Sequence, residues 1–486
     1  MIVTSESAPA ATAPRESPAS TPGSAWTRAD SIAVLATTAL AAGLRLYHLG
    51  FRSLWFDEGF SAGIALMKWP DFLSVNSAYS ANMAFYYLLL KLWLPLGNSD
   101  GWTRGLSALL GIVTVPALYW LARKLFGTTT ATSAALLLAC NAFHIKYSQE
   151  ARAYTLVTVL VVASIIAMVR AVERSTTRAW LVWAAVSALA VYAHTYAVLV
   201  IGGEILWAMF VLSARDRWKL FAAFRWFVLA LVPYLVIMTR GGSGAIAWLR
   251  PFTFRQIADT IALVCGNVGW TLPLLFAAAC LGAFWMPRDE RRAFLLAALL
   301  AIAPFVAVIV LYRVKPLLFP RYMIVTLPGI VLMVAAAARR LPRLLAAAWL
   351  LVTLSVSLWG TVSYFRQDFL PNDDWRSASA FVLSHRQPGD LVVFYTWQGT
   401  LAYHYYWWQT DHSAPRVDPN DLYYSGIADL VQSQPKDAKH VWVLLDHFGG
   451  SDPSEAYVRG WFSQHYNVVS ETEFRGIAVV EYRMKP

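Results

Sequence analysis

The chain has 486 residues, 58% of them hydrophobic and 14% charged, whereas a soluble globular domain carries about a quarter charged residues. That balance excludes an ordinary soluble globule and points to a polytopic α-helical membrane protein. The formal charge of +11 does not indicate nucleic acid, because Lys and Arg sit in short clusters between apolar segments, with no basic stripe or recognisable binding module.

Residues 1–29 are rich in Ala, Pro, Ser and Thr and lack an apolar h-region, so they read as a disordered cytoplasmic tail rather than a cleaved signal peptide. Apolar segments long enough to be candidate spans follow at 31–49, 103–122, 129–143, 152–170, 179–193, 196–213, 220–239, 258–284, 293–311, 321–338 and 344–362. That is about 11 transmembrane helices. Cys140, Cys265 and Cys280 all lie inside apolar runs, which indicates no disulfide framework.

The apolar stretch 82–97 decides the parity. If it lies in the interface, the clusters Arg123/Lys124, Arg170/Arg174/Arg178, Arg215/Arg217/Lys219, Arg288/Arg291/Arg292 and Arg339/Arg340/Arg343 share one side, which is cytoplasmic by the positive-inside rule. Residues 51–100 then form one long external loop with short helices, anchored at the interface by Tyr86, Tyr87 and Trp93. The expected domains are the tail 1–29, a membrane domain 30–363 and an external domain 364–486. The location is the cell (inner) membrane, with the N-terminus cytoplasmic.

After about residue 363 the composition changes. Strand-like runs 391–397, 441–447, 467–474 and 477–482 alternate with helix-like runs 373–386, 399–410, 426–433 and 453–465, the pattern of a small extracytoplasmic α/β domain. Asp452 before Pro453 reads as an N-cap followed by proline at the first helical position. The domain has no nucleotide fingerprint. Its run Tyr403-His404-Tyr405-Tyr406-Trp407-Trp408 reads as helix packing, with stacking on sugars or lying against the membrane as the alternatives.

Three constellations carry chemistry. Trp55-Phe56-Asp57-Glu58, followed by Lys68, places paired carboxylates at the outer end of the first span, where acids are costly to keep unless they work. Adjacent residues on a helix point about 100° apart, so one acid faces the reaction and the other caps or organises; alternatively both cap an interfacial helix. The second constellation is His144-Ile145-Lys146-Tyr147-Ser148-Gln149-Glu150-Ala151-Arg152-Ala153-Tyr154, on the same side of the membrane as Asp57. Its bland alternative is a Glu150–Tyr154 helix start with a snorkelling Arg152. The third is Arg313, Lys315 and Pro320-Arg321-Tyr322, whose guanidinium and ammonium groups suit a lipid-linked phosphate or anionic headgroups. His194 lies at a tight external turn and reads either as a packing residue or as part of the donor pocket. The Gly241-Gly242-Ser243-Gly244 loop with Trp248, Arg250 and Arg255 reads as a loop or a gate.

With Asp57-Glu58 after the first span, Tyr147-Ser-Gln-Glu-Ala-Arg-Ala-Tyr154, Arg321-Tyr322 at a late span and a C-terminal external domain, the chain resembles the GT-C superfamily over roughly residues 30–365. More narrowly it resembles the family 39 type, relatives of protein O-mannosyltransferases and lipid A aminoarabinose transferases. The resemblance implies an inverting glycosyltransferase, moving a hexose or pentose from a polyprenyl-phosphate donor to a glycan, lipid or protein acceptor on the outer face. It implies Asp57 in the position of the catalytic acid residue with Glu58 as its neighbour, Glu150 and Arg152 as the second-loop pair, and Arg321 and Tyr322 near the donor phosphate. Where relatives carry Pro-Pro-Leu-Tyr-Tyr, this chain has Asn82-Met83-Ala84-Phe85-Tyr86-Tyr87, which leaves a donor role for Lys91 open.

The leaving sugar phosphate needs positive charge and the incoming hydroxyl needs a base. Asp57 suits the second task. Arg152, Arg321, Lys68 and Lys315 suit the first, with Tyr154, Tyr322 and His194 completing the expected donor pocket. Asp57, Glu58 and Glu150 are also the residues that would hold a divalent cation such as Mg or Mn, although the cationic side chains would serve without one. The rival readings are a lipid-linked saccharide flippase or transporter and a non-enzymatic polysaccharide-binding membrane protein.

Overall fold

The computed structural model describes residues 25–78, 81–240, 251–266, 288–368, 373–412, 439–446 and 453–485. The segment 1–24, the 241–244 loop with Trp248 and Arg250, Cys280 and the end of the 258–284 segment, the 426–433 run and Asp452 lie outside the described residues. The membrane part is a helical bundle: α1 (Arg28–Leu46), α2 (Phe56–Leu66), α3 (Trp69–Ala78), α4 (Ala84–Trp93), α5 (Asp100–Phe126), α6 (Thr128–Ala139), α7 (Ala142–Ser148), α8 (Tyr154–Arg174), α9 (Thr177–Ala193), α10 (Ala197–Val211), α11 (Arg217–Arg240), α12 (Phe254–Val264), α13 (Arg288–Leu311), α14 (Leu327–Ala337, preceded by a 3-10 turn Pro320–Thr326) and α15 (Arg343–Ser363).

Seven of these helices are long and apolar enough to cross a membrane: α1, α5, α8, α11, α13, the 3-10 turn with α14, and α15. Three further expected spans fall on shorter helices, α6 with 12 residues, α9 with 17 and α10 with 15. At 1.5 Å per residue these reach about 18, 26 and 23 Å, less than the roughly 30 Å hydrocarbon core. Asn141 ends the first of them: its side-chain oxygen accepts from the His144 backbone N–H at 2.8 Å and starts α7. The stretch 82–97 forms α4 and a short 3-10 turn.

The bundle has a clear inside. Of the span 320–337, 89% is buried, against 22% for α1 and for α15, so α14 runs through the centre and the other two lie at the rim. Exposed Leu35, Leu109, Leu181, Phe221, Val232 and Leu351 are outward apolar groups of the kind lipid covers. α1 begins with a capping box: Thr27 Oγ1 accepts from the Asp30 N–H at 3.2 Å and Asp30 Oδ2 from the Thr27 N–H at 2.8 Å. The helix therefore starts at Arg28, inside the stretch expected to be tail. Asp30 Oδ1 also accepts from Arg123, Tyr119 and Thr128 at 2.7 to 2.9 Å, which ties α1 to α5 and α6.

The C-terminal part is a four-stranded sheet with helices on both faces. Its elements are α16 (Trp375–His385), β1 (Leu391–Phe394), α17 (Trp397–Thr410), β2 (His440–Asp446), α18 (Pro453–His465), β3 (Tyr466–Phe474) and β4 (Ile477–Met484). The strand order is β1-β2-β4-β3, with β1 parallel to β2 and the other pairs antiparallel. Alternation along β2 sends Trp442 and Leu444 to the face covered by α16 and α17, and Val441, Val443 and Leu445 to the face covered by α18. The first strand stops at Phe394, three residues short of the expected Trp397, which opens α17 instead. In the aromatic run Tyr403, Tyr405 and Tyr406 are buried in packing.

Candidate active site

α2 presents the acid pair. Asp57 and Glu58 occupy its first turn, where carboxylates meet the positive end of the helix dipole. Glu58 is fully buried and locked by Arg104, whose Nε donates to Oε1 at 2.8 Å and Nη2 to Oε2 at 2.6 Å. The Ala151 N–H donates to Glu58 Oε1 at 2.8 Å. Arg104 also donates to the carbonyls of Leu49, Arg52 and Ser53, so the pair stitches the first loop, the second loop and α5 together. Glu58 is therefore closed off by its partners, whereas the Asp57 side chain keeps 15% of its surface exposed.

Arg321, entering from the 3-10 turn before α14, donates Nη1 to Asp57 Oδ2 at 2.8 Å. Arg152 approaches the same oxygen at 3.8 Å. Its Nη1 donates to the Asp57 carbonyl, Ser61 Oγ and Tyr87 Oη at 3.2, 3.2 and 3.3 Å. The Arg321 guanidinium lies 4.7 Å from the Phe319 ring centre and 5.9 Å from those of Trp55 and Tyr322, an aromatic setting that favours a cation.

His194 packs among the aromatic rings beside these cations. The Tyr196 N–H donates to His194 Nδ1 at 3.2 Å, so in the neutral ring the proton sits on Nε2. Burial, with the charges of Arg152 and Arg321 adding to it, pulls this imidazole down to about 3, which keeps it neutral. Its ring contacts Tyr154 and Tyr322 at centroid distances of 6.1 and 4.9 Å. Burial pushes the Glu150 carboxyl up to about 6.

Five buried polar atoms here have no hydrogen-bond partner: Glu150 Oε2, Arg152 Nε, Tyr154 Oη, His194 Nε2 and Arg321 Nε. Leaving such groups unpaired costs about 1–3 kcal/mol each, a cost a bound ligand would remove. Three of the five belong to a cation or a neutral N–H, so the set suits an anion flanked by hydroxyls.

The structure thus gathers Asp57, Arg152, Tyr154, His194, Arg321 and Tyr322, with Glu150 beside them. Lys68 is not among them: it is exposed beyond the C-terminal end of α2, about 16 Å along the axis from Asp57 at 1.5 Å per residue. Lys315 is half-buried in the 312–319 connection. Lys91 serves α2 instead, donating to the carbonyls of Ala65 and Met67 at its last turn. The expected three-carboxylate cradle does not form. Glu58 is committed to Arg104 and Ala151 and Asp57 to Arg321, and no group of three His, Cys, Asp or Glu among the described residues is arranged to hold a metal ion. Arg104, Ser61 and Tyr87 were absent from the expected site; a charged residue at the start of an apolar span was the signal for Arg104.

A membrane bundle whose first and second loops and penultimate span converge on one acid, with a small α/β domain after it, is an ArnT-like GT-C fold. Residues 83–239 match the family model for dolichyl-phosphate-mannose-protein mannosyltransferase, a stretch that contains Glu150, Arg152, Tyr154 and His194. ArnT from Cupriavidus metallidurans, in the apo state, superposes with a TM-score of 0.65 at 14% identity, over 93% of this chain and 98% of that one. The same protein bound to undecaprenyl phosphate gives 0.64 at 14%, over 92% and 97%. The archaeal oligosaccharyltransferase AglB from Archaeoglobus fulgidus, in complex with an inhibitory peptide and a dolichol-phosphate, gives 0.55 at 11%, over 93% and 74%. No curated protein matches the sequence.

Proposed function

We propose that this chain is an inverting glycosyltransferase that moves a monosaccharide from a polyprenyl-phosphate donor to an acceptor hydroxyl at the outer membrane face. The observation that carries the reading is the meeting of one carboxylate, Asp57, with two guanidinium groups, Arg321 at 2.8 Å and Arg152 at 3.8 Å. The unpartnered donors of Tyr154 and His194 lie beside them. The structural neighbour solved with undecaprenyl phosphate supports a lipid phosphate as the carrier.

In this reading the acceptor hydroxyl gives its proton to Asp57 and attacks C1, while the C1–O bond to phosphate breaks with its electron pair going to the polyprenyl phosphate. Arg321 Nε and Arg152 Nε take the phosphate oxygens, where negative charge develops. His194 Nε2–H and the Tyr154 hydroxyl donate to sugar oxygens. Inversion requires base and leaving group on opposite faces of the ring, with the sugar lying between the Asp57 carboxylate and the phosphate. Glu58 and Arg104 hold the two loops in register.

A flippase would need ionisable groups along a path across the membrane. Two buried charges within the helices, Arg45 and Glu204, are instead held by local partners. Arg45 donates to the carbonyls of Ala41, Leu138 and Ala139 and to His144 Nδ1. Glu204 accepts from Ser164 and Trp183.

The test is stereochemical. Purified protein is given polyprenyl-phosphate mannose or arabinose of known anomeric configuration, carbon-13 labelled at C1, with a membrane extract as acceptor. The product anomer opposite to that of the donor supports the reading; the same anomer, or no turnover of either donor, contradicts it.

A further inference from the structure

We infer that the C-terminal domain is part of the catalytic apparatus: through Leu401, Ala402 and Tyr406 of α17 it fixes the rotation of α2 and so the placement of Asp57. This rests on the reading of Asp57 as the reacting acid. The first support is the contact between the helices. A Cβ on Gly59 would lie 2.6 Å from Ala402 Cβ and 2.8 Å from its Cα, and a Cβ on Gly63 would lie 2.7 Å from Leu401 Cδ2. None of these distances is one a real Cβ occupies, so Gly59 admits the Ala402 backbone and Gly63, a turn later, admits the Leu401 side chain.

The second support is angular. Gly59 follows Asp57 by two residues, about 200° around the helix, so α17 presses on the face opposite the carboxylate. Ser61, about 40° from Asp57 by the same count, lies on the reacting side and receives Arg152.

The third support is the chain leading into α2. The Leu54 N–H donates to Tyr406 Oη at 2.7 Å and the Phe56 N–H to Asp373 Oδ2 at 3.4 Å. The Arg376 N–H donates to Ser53 Oγ at 3.0 Å. Leu54 and Ala62 belong to the same apolar cluster as Trp375, Tyr403 and Trp442. The helix is thus held from behind by the C-terminal domain and in front by Arg152 and Arg321. Leu401, Ala402 and Tyr406 are positioning residues, remote from the reacting atoms.

Two readouts test this in the full-length protein. Gly59→Ala should lower kcat for sugar transfer about 10- to 100-fold, the scale of an ångström misplacement, while KM for the donor moves little. Tyr406→Phe, which removes only a hydroxyl, should lower kcat in the same sense and decides the matter if Gly59→Ala does not fold. Gly202→Ala, where a Cβ meets nothing within 4 Å, should change neither constant. The second readout involves no sugar. In a chain with Cys140, Cys265 and Cys280 replaced by Ala, Asp57→Cys should react about fivefold faster with an anionic than with a cationic methanethiosulfonate, because two guanidinium groups face it. Adding Gly59→Ala or Tyr406→Phe should abolish that preference. An unchanged reagent preference in both backgrounds overturns the inference whether or not the protein transfers sugar. If Gly59→Ala and Tyr406→Phe abolish the preference while the parent chain with Asp57 intact turns over no donor, the transferase reading alone is overturned.

Discussion

Asp57 and Arg321 are 264 positions apart in sequence and 2.8 Å apart in space, the carboxylate entering from α2 and the guanidinium from the turn before α14. The pair leaves Arg321 Nε unpartnered, and in the proposed reaction that atom takes the donor phosphate. Removing it should therefore cost rate. Arg321→Ala is expected to lower single-turnover transfer by about 10²- to 10³-fold, the usual loss for one transition-state donor. Arg321→Lys should recover part of this, since an ammonium supplies charge without the two-pronged geometry.

Glu58 behaves differently from its neighbour. Glu58→Gln leaves the Arg104 guanidinium buried without its charge partner, which is expected to destabilise the protein by about 3–5 kcal/mol. Replacing both members, Glu58→Met with Arg104→Met, should recover much of the loss because no charge is then stranded. Thermal unfolding in detergent measures both, with Asp57→Asn as a comparison expected to stay folded.

Burial raises Glu150 from 4.5 to about 6. Between those values the folded chain holds a proton that the unfolded chain has released, so stability falls as pH rises through this window. Below about 4.5 both states are protonated and the penalty is absent; above about 6 it is complete, on the order of 2 kcal/mol. Glu150→Gln should therefore be more stable than the parent at pH 7.5 and equal to it at pH 4.5, measured by unfolding at the two pH values.

Asp100 is one anchor between the bundle and the C-terminal domain. It accepts from Arg376 at 2.6 Å, Tyr406 at 2.8 Å, Gln409 at 2.8 Å and Tyr405 at 3.3 Å. Asp100→Ala removes the shared acceptor of these donors, which keep their other partners, and is expected to cost about 1–3 kcal/mol in all. Hydrogen exchange over 397–410 should quicken by orders of magnitude while α8 and α14 keep their protection.

Much of this was legible in the sequence because apolar length and loop motifs are local signals. The spans on α1, α5, α8, α11, α13, α14 and α15, the α/β alternation after residue 373, and the three segments that meet at Asp57 could all be read from residue types. What could not be read depends on orientation. Lys68 lies near Asp57 in the chain, yet eleven residues of helix carry it to the far end of α2. Glu58 looks like a second reacting acid until Arg104, 46 positions away, is seen to enclose it. The pressing of Ala402 on Gly59 leaves no trace in composition, since a glycine beside an acid predicts no partner 343 residues downstream. The segments of α6, α9 and α10 were legible but their short lengths were not, because apolar content marks a segment as membrane-embedded without saying where a cap or turn ends its helix.

The most direct test replaces one oxygen by nitrogen at the centre of the site. Asp57→Asn, purified and shown to unfold at the same temperature as the parent, is assayed for transfer of radiolabelled sugar from a polyprenyl-phosphate donor. Loss of about 100-fold or more, equivalent to about 2.7 kcal/mol of barrier, is the predicted result; transfer at the parental rate would remove Asp57 from the chemistry.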